Sequence, residues 1–239
     1  MTIETLLPPP VRLRLAEYPR VFWTAAEWLR ARDILGGAPR GTGAPVMVLP
    51  GLFNTDISTG VMRRYLAGIG HDVRGWGLGR NMGPRTIGRE GERLLAQLEA
   101  VAGRSGRPVA LVGVSLGGMM ARLAAQRRPE LVSSVVTLSS PFAASPKATN
   151  VWRAFEWVTG EKVDSPAVEA LLAECRRPLP VPSVAIWSAS DGLVNGHACR
   201  EQEREGCRAV EVRSSHLWVQ FKPEVLRHVA DALAEQPPG

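Results

Sequence analysis

Cysteine is scarce in this sequence, and its spacing excludes two classes of site. The 239 residues contain three cysteines, Cys175, Cys199 and Cys207, with no C-x-x-C pair among them. Neither a zinc knuckle nor a thioredoxin-like redox site is predicted, and an odd count does not fit a disulfide scaffold. We expect buried, reduced thiols, although Cys199 and Cys207 are near enough in sequence to meet if Gly206 breaks the intervening helix.

Long apolar runs and long charged runs are also missing. No stretch approaches the length of a membrane-spanning helix, and Glu4 and the prolines at 8–10 interrupt what would be the apolar core of a secretory signal. We therefore expect a cytoplasmic protein. Lys and Arg outnumber Asp and Glu by 29 to 23, but the basic residues form no run of five or more. Nucleic acid is therefore not expected as a partner.

Apolar strand-like runs alternate with helical segments from Val46 onward. Strands are predicted at 46–49, 72–75, 109–112, 134–138, 183–187 and 209–212, and helices at 59–68, 86–101, 116–127 and 223–235. Such alternation builds an α/β fold, with a mostly parallel sheet of about six strands and helices on both faces. With 45% hydrophobic residues, the chain (1–239) is interpreted as a single domain.

Two segments lie outside this alternation. Residues 1–40 form an N-terminal helical segment, in which 19–35 is predicted as an amphipathic helix that packs Phe22, Ala25 and Leu29 beside the sheet. The alternative is contact with an anionic membrane surface through Trp23, Trp28, Arg20, Arg30 and Arg32. Residues 142–182 are too many for a plain connection. They are interpreted as a helical cap insertion over the strand ends, with helices near 149–158 and 165–175.

A candidate nucleophile stands at the end of the third predicted strand. There the chain reads Gly113-Val114-Ser115-Leu116-Gly117 and continues into an apolar helix. A strand-to-helix turn strains the serine backbone, so the residues two before and two after it must lack bulk, and both are glycine. The pattern alone is weak, and a serine in a turn that permits close packing is the plain alternative. The strand before it and the helix after it favour the nucleophile.

A serine nucleophile needs a base, and a carboxylate that orients the base. His216 follows the last predicted strand after a short loop, whereas His71, His197 and His228 occupy less suitable positions. Asp191 follows the strand before it, in Ser188-Ala189-Ser190-Asp191-Gly192, although an aspartate before glycine is also a common turn residue. The order Ser115, Asp191, His216 is the order used by α/β-hydrolases.

An acyl-transfer site also needs N–H groups that bind the oxyanion. The backbone N–H of Leu116, directly after the serine, is the first candidate. The second is expected in the Pro50-Gly51-Leu52-Phe53-Asn54 loop after the first strand, from Leu52, with Phe53 as the fallback. A tight Pro50-Gly51 turn without this role is the alternative.

The sequence resembles the α/β-hydrolase superfamily, and more narrowly its bacterial esterase and lipase-like members with a proline-glycine oxyanion loop. The resemblance covers the chain from about Val46 and rests on six segments: VLPGLFNTD (48–56), GWGLGRNMGP (75–84), LVGVSLGGMMAR (111–122), VTLSSPF (136–142), SASDGLV (188–194) and SSHLWV (214–219). It implies hydrolysis of a carboxylic ester through an acyl-enzyme on Ser115, without metal or organic cofactor. The role of Arg80 and Asn81 is open: Arg80 either meets an anionic substrate group or fixes the loop.

The predicted substrate is a small-molecule or lipid-like ester, because four aromatic residues fall near the predicted site: Phe53, Phe142, Trp152 and Trp218. The alternative is that these aromatics belong to the core. Two other functions stay open. An acyltransferase or perhydrolase uses the same triad with another acceptor in place of water, and a catalytically silent binding protein uses the same scaffold.

Overall fold

Six short strands form one sheet in the computed structural model, which describes residues 6–235. The strands are β1 (Pro45–Leu49), β2 (Asp72–Gly75), β3 (Val109–Val114), β4 (Val132–Leu138), β5 (Ser183–Trp187) and β6 (Cys207–Glu211). They lie in the order β2-β1-β3-β4-β5-β6, and every neighbouring pair is parallel. The predicted sheet of about six strands is confirmed, and it is wholly parallel.

Helices cover both faces of this sheet, which explains why β1 and β3 are buried along their whole length. Helices α4 (Gly60–Gly68) and α10 (Pro223–Ala234) bury Met62, Leu66 and Leu226 on one face. Helices α6 (Glu92–Ser105) and α7 (Leu116–Arg127) bury Leu94 and Met120 on the other. The helix predicted over 86–101 is two helices, α5 (Pro84–Ile87) and α6, because Gly88 and Gly91 between them have φ values of 90° and 68°.

The N-terminal arm, residues 6–35, differs from the single helix predicted over 19–35. It contains α1 (Val11–Leu15), α2 (Arg20–Glu27), a 3₁₀ turn (Trp28–Arg30) and α3 (Ala31–Leu35). The face predicted to pack on the sheet, with Phe22, Ala25 and Leu29, is exposed to solvent. That prediction was wrong because helices from the rest of the chain already cover both faces of the sheet. The first part of the arm instead crosses the loops at the carboxyl ends of β5 and β6, and α3 packs against the outer helix α10.

Two helices of the insertion lie beside α7 on the same side of the molecule. They are α8 (Trp152–Thr159) and α9 (Pro166–Arg176), close to the two predicted cap helices. Arg122 of α7 is fully buried and holds α9 through a hydrogen bond of 2.7 Å from its Nε to the Cys175 carbonyl. The same guanidinium forms an ion pair with Glu201 and lies over the Phe142 ring. Within residues 6–235, no helix is long and apolar enough to cross a membrane.

Candidate active site

Ser115 stands at the junction of β3 and α7 in a strained backbone conformation. Its φ is 51° and its ψ is −118°, a backbone conformation that residues other than glycine rarely adopt. A Cβ on Gly113 would lie 2.3 Å from the Gly118 Cα, and a Cβ on Gly117 would lie 2.4 Å from the Leu49 carbonyl oxygen. The glycines around the serine are therefore required by close backbone contacts, as the spacing predicted.

The structure brings Ser115, His216 and Asp191 together, although they lie on three separate loops. His216 Nε2 is 3.1 Å from Ser115 Oγ, and His216 Nδ1 is 2.7 Å from Asp191 Oδ2. Each distance is within hydrogen-bond range. The histidine ring thus connects the serine hydroxyl to a carboxylate that is only 1% exposed.

The position of Asp191 is fixed by hydrogen bonds to the oxygen that does not face the histidine. Its Oδ1 accepts from the backbone N–H of Leu193 at 2.9 Å and from that of Val194 at 2.8 Å. The acid loop is also tied to the base loop, because the Ser188 hydroxyl donates to the Ser214 carbonyl at 2.9 Å and accepts from the Ser214 N–H at 3.1 Å. The carboxylate therefore has one oxygen left for His216.

Opposing effects act on the pKa of His216. Burial lowers it, because a charged imidazolium is poorly solvated in the interior. The negative charge of Asp191, its hydrogen bond to the ring and the charge of Glu17 raise it, and their sum leaves the pKa of His216 above its usual value. The two carboxylates thus favour the protonated ring, which is the form that a base reaches after accepting a proton.

The two backbone N–H groups predicted to bind an oxyanion belong to residues that line the cavity at Ser115. The N–H of Leu116 is the first of α7, so no carbonyl within the helix accepts from it. Among the hydrogen bonds of residues 6–235, none is donated by the backbone N–H of Leu52. The N–H of Phe53, the fallback, is used in a 2.8 Å bond to the Asn81 carbonyl. Both Leu52 and Leu116 line the cavity next to Ser115.

The loop after β2 clamps the Pro50–Asn54 loop. Asn81 is fully buried, and its side-chain Nδ2 donates to the Pro50 carbonyl at 2.7 Å, while its backbone N–H donates to the Asn54 carbonyl at 2.8 Å. Arg80 Nη1 donates to the Phe53 carbonyl at 2.6 Å. Arg80 and Asn81 therefore fix the loop that carries Leu52. Sequence reasoning singled out this segment but did not resolve its role.

An apolar cavity of about 140 Å³ opens onto Ser115. Its walls come mainly from α7, the insertion helices and the acid loop, and they include Met119, Leu123, Val151, Trp152, Phe155, Leu171, Leu172 and Val194. Of the four aromatic residues predicted near the site, Trp152 lines this cavity. Phe142 packs in a buried cluster against Leu123 and Cys175, Trp218 lies against the Phe221 ring, and Phe53 lies outside the cavity lining.

In the described part of the chain, the remaining histidines make no hydrogen bond to the triad, and His228 lies within α10, whereas Cys175 lines the cavity at Ser115 and Cys199 lies close enough to Asp191 to feel its charge. His197 packs on the Trp187 ring, and His71 lies against Gly41 at the amino-terminal edge of the sheet. All three cysteines are buried and unpaired, and burial raises the pKa of the Cys175 thiol to about 12. Within residues 6–235, no group of three His, Cys, Asp or Glu side chains is arranged to hold a metal ion.

Solved structures with the same fold include several lipases. Lipase B of Aspergillus fumigatus aligns over 84% of this chain and 56% of its own, with a TM-score of 0.60 and 17% identity. A monoacylglycerol lipase of Paleococcus ferrophilus aligns over 80% of this chain and 95% of its own, with a TM-score of 0.58 and 17% identity. A structure from work on the metagenome-derived lipolytic enzymes LipS and LipT covers 84% and 98%, with a TM-score of 0.58 and 16% identity.

The chain thus spans little more than half of the fungal lipase and nearly all of the other two. No curated protein matches the sequence significantly. A family model described as the alpha/beta hydrolase fold matches residues 105–160, the segment that holds β3, Ser115, α7 and β4. With its wholly parallel six-stranded sheet and these structural relatives, the chain has the α/β-hydrolase fold.

Proposed function

We propose that this protein is a serine hydrolase that cleaves a carboxylic ester with an apolar acyl group through an acyl-enzyme on Ser115. The observation that carries the proposal is the chain of two hydrogen bonds from Asp191 through His216 to Ser115, which ends at the mouth of an apolar cavity. The fold is shared with enzymes named as lipases, which supports a hydrolase.

The geometry supports a two-step acyl transfer. Ser115 Oγ attacks the ester carbonyl carbon while His216 Nε2 takes the hydroxyl proton, and the carbonyl oxygen becomes an oxyanion held by the N–H groups of Leu52 and Leu116. When the intermediate collapses, the alkoxide leaves and takes the proton from His216. Water then attacks the acyl-enzyme with the same base, and the acid is released. Asp191 stabilises the imidazolium in both steps.

Labelling and an ester panel test this proposal together. A fluorophosphonate probe is expected to label Ser115, and the purified protein is expected to hydrolyse p-nitrophenyl esters, with the preferred acyl length set by the cavity. The variant Ser115→Ala should lose labelling and at least about 10³-fold in kcat/KM, because the nucleophile is removed.

The matched control is Ser105→Ala, since that hydroxyl bonds carbonyl groups at the end of α6 away from the site. Ester hydrolysis that survives in Ser115→Ala would reject Ser115 as the nucleophile. Absence of labelling in the wild-type protein would favour a silent binding protein instead. If an added alcohol accepts the acyl group faster than water does, the reaction is acyl transfer, and product analysis shows this directly.

A further inference from the structure

Glu17 is a buried carboxylate of the N-terminal arm that lies between the two loops of the triad. It is 1% exposed, and its Oε1 accepts hydrogen bonds from the backbone N–H of Gly192 at 2.7 Å and of His216 at 3.0 Å. Its Oε2 accepts from the N–H of Leu217 at 3.1 Å. One carboxylate therefore joins the residue after the acid to the base itself.

The arm lies directly on the acid loop at this point. A Cβ on Gly192 would be 2.3 Å from the Leu13 carbonyl oxygen, so the two backbones are in close contact. Arg20 of the same arm donates to the Ser190 carbonyl, on the other side of Asp191. The contact is thus made on both sides of the acid, and within residues 6–235 Glu17 has no ion-pair partner.

We propose that Glu17 is a positioning residue of the site, which holds the acid loop and the base loop at a fixed separation so that His216 stays aligned with Ser115. The proposal rests on the function proposed above. Alignment matters because a misplacement of about 1 Å in an active site is enough to cost about 100-fold in rate. A carboxylate suits this role, since hydrogen bonds from N–H groups to a charged oxygen are roughly twice as strong as neutral ones.

The charge of Glu17 has a second effect that a purely structural residue would lack. The charged groups that act on His216 are Asp191 from the β5 loop and Glu17 from the arm, whereas Arg20 contacts the acid loop at the Ser190 carbonyl. Both carboxylates raise the pKa of His216. Activity requires the neutral ring, so the acidic limb of the rate profile follows this pKa. Removal of the Glu17 charge lowers the pKa and moves that limb to lower pH.

Glu17→Gln is the informative variant, because it keeps the shape and one acceptor oxygen but removes the charge. We expect kcat/KM of the full chain for a soluble ester to fall about tenfold or more at the plateau, mainly through kcat, and the acidic limb to move to lower pH. Glu17→Asp keeps the charge, so it should recover part of the rate and return the acidic limb to its wild-type pH. The matched control is Glu27→Gln, since Glu27 anchors the arm through Lys222 and makes no hydrogen bond to either triad loop.

The outcomes separate this proposal from the proposed function. If wild-type protein is labelled at Ser115 and Glu17→Gln has the same plateau and the same pH limb, Glu17 has no positioning role although the esterase assignment stands. If Glu27→Gln shifts the limb equally, the effect is a general loosening of the arm and the proposal is rejected. Thermal unfolding of each variant is measured alongside, and a shifted limb in a folded Glu17→Gln protein supports the proposal.

A separate observation concerns the outer face of the same arm. Eight of the eleven large apolar side chains that are exposed among residues 6–235 fall between Leu7 and Leu29. Seven of these eight are between 59% and 89% exposed: Leu7, Val11, Leu15, Tyr18, Phe22, Trp23 and Leu29. Scattered exposed apolar residues are ordinary, but so many within one short arm indicate a surface that is covered in use.

The charges beside this apolar face are mostly positive. Arg12, Arg14, Arg30 and Arg32 are exposed, whereas Asp33 is the single exposed acidic residue of the arm. Aromatic and aliphatic side chains flanked by arginines are the composition that binds anionic lipid headgroups and the outer part of the acyl layer. The arm also crosses the same edge of the sheet as the triad loops.

We infer that the outer face of the arm docks on an anionic lipid surface. Contact with a membrane surface through Trp23 and Trp28 requires both rings to be free. Trp23 is exposed, whereas Trp28 is held by a 3.0 Å hydrogen bond from its Nε1 to the Phe221 carbonyl. The docking face therefore consists of the seven exposed apolar residues and the four exposed arginines. This inference does not depend on the proposed esterase activity.

Vesicle sedimentation of the full chain tests it. We expect the protein to pellet with phosphatidylglycerol vesicles and much less with phosphatidylcholine vesicles, and the double variant Phe22→Ser/Leu29→Ser to lose at least about tenfold in partitioning. Ile57→Ser is the control, because Ile57 is equally exposed but lies outside the arm. Hydrolysis of a soluble ester should stay unchanged in all three. The inference is overturned if wild type and double variant pellet equally. It is also overturned if the wild type is a dimer and the double variant a monomer, because the exposed face is then a contact between two copies of the chain.

Discussion

Replacement of Asp191 by Asn is expected to lower kcat by about 10⁴-fold while the fold is retained. Asp191 Oδ1 already accepts two N–H groups, from Leu193 and Val194, so an amide oxygen must take that place. The amide NH₂ then faces His216 Nδ1 and forces that nitrogen to act as an acceptor. The ring proton moves to Nε2, which points at Ser115 Oγ as a donor. A histidine in this tautomer does not take the serine proton.

The reverse amide orientation does not rescue the variant. It would place NH₂ against two buried N–H donors and leave both unsatisfied, at a cost of about 1–3 kcal/mol for each group. The measurement is kcat/KM with a soluble ester, together with the rate of fluorophosphonate labelling and a thermal unfolding curve. Asp164→Asn serves as the control, since Asp164 is an exposed partner of Lys147. A folded Asp191→Asn protein with more than a tenth of the wild-type rate would show that another group orients His216.

Gly117→Ala is expected to destabilise the protein by about 3 kcal/mol or more and to abolish activity in whatever fraction still folds. The new Cβ would lie 2.4 Å from the Leu49 carbonyl oxygen and 2.6 Å from that of Pro50. These are backbone atoms at the end of β1 and at the start of the oxyanion loop, so no side chain can rotate to relieve the contact. Helix α7 must move away from β1, and the N–H groups of Leu52 and Leu116 separate.

Gly103→Ala is the matched control with the opposite sign. Gly103 lies inside α6, and a Cβ built there meets no atom within 4 Å. Alanine should stabilise this helix by roughly 0.5–1 kcal/mol, because glycine loses more backbone entropy on folding. Denaturant midpoints of the two variants should therefore move in opposite directions. Equal small shifts would mean that the turn around Ser115 tolerates more movement than its contacts indicate.

The sheet and the order of the three candidate catalytic residues were predictable because they depend on local patterns. Buried parallel strands are short apolar runs, and each one ends where a loop must begin, so Ser115, Asp191 and His216 could each be assigned to a strand end. The positions of Phe142 and Trp218 were not predictable in this way. An aromatic residue close to the site in sequence packs either into the core or into the cavity, and tertiary contacts with Arg122 and Phe221 decide which.

Glu17 could not be found from the sequence because no motif surrounds it. Its partners are 175 to 200 residues away in the chain, and they are backbone N–H groups, which every residue carries. The arm was mispredicted for a related reason. Periodicity showed that one face of 19–35 is apolar, but it did not show whether a free surface of the sheet remained to bury that face. Asn81 is an intermediate case. Its segment is recognisable in the sequence, but its hydrogen bonds to the Pro50 and Asn54 carbonyls depend on the tertiary structure.

The link between Glu17 and His216 has a consequence for how the site is completed during synthesis. Glu17 is synthesised 199 residues before His216 and 200 residues before Leu217, its two partners in the base loop. Strands β1 to β4 and the strained turn at Ser115 precede residue 140, so they are synthesised before the loops that carry Asp191 and His216. A ribosome-bound chain that stops before residue 216 therefore has its nucleophile without its base. The arm is therefore synthesised well before the base loop that it holds.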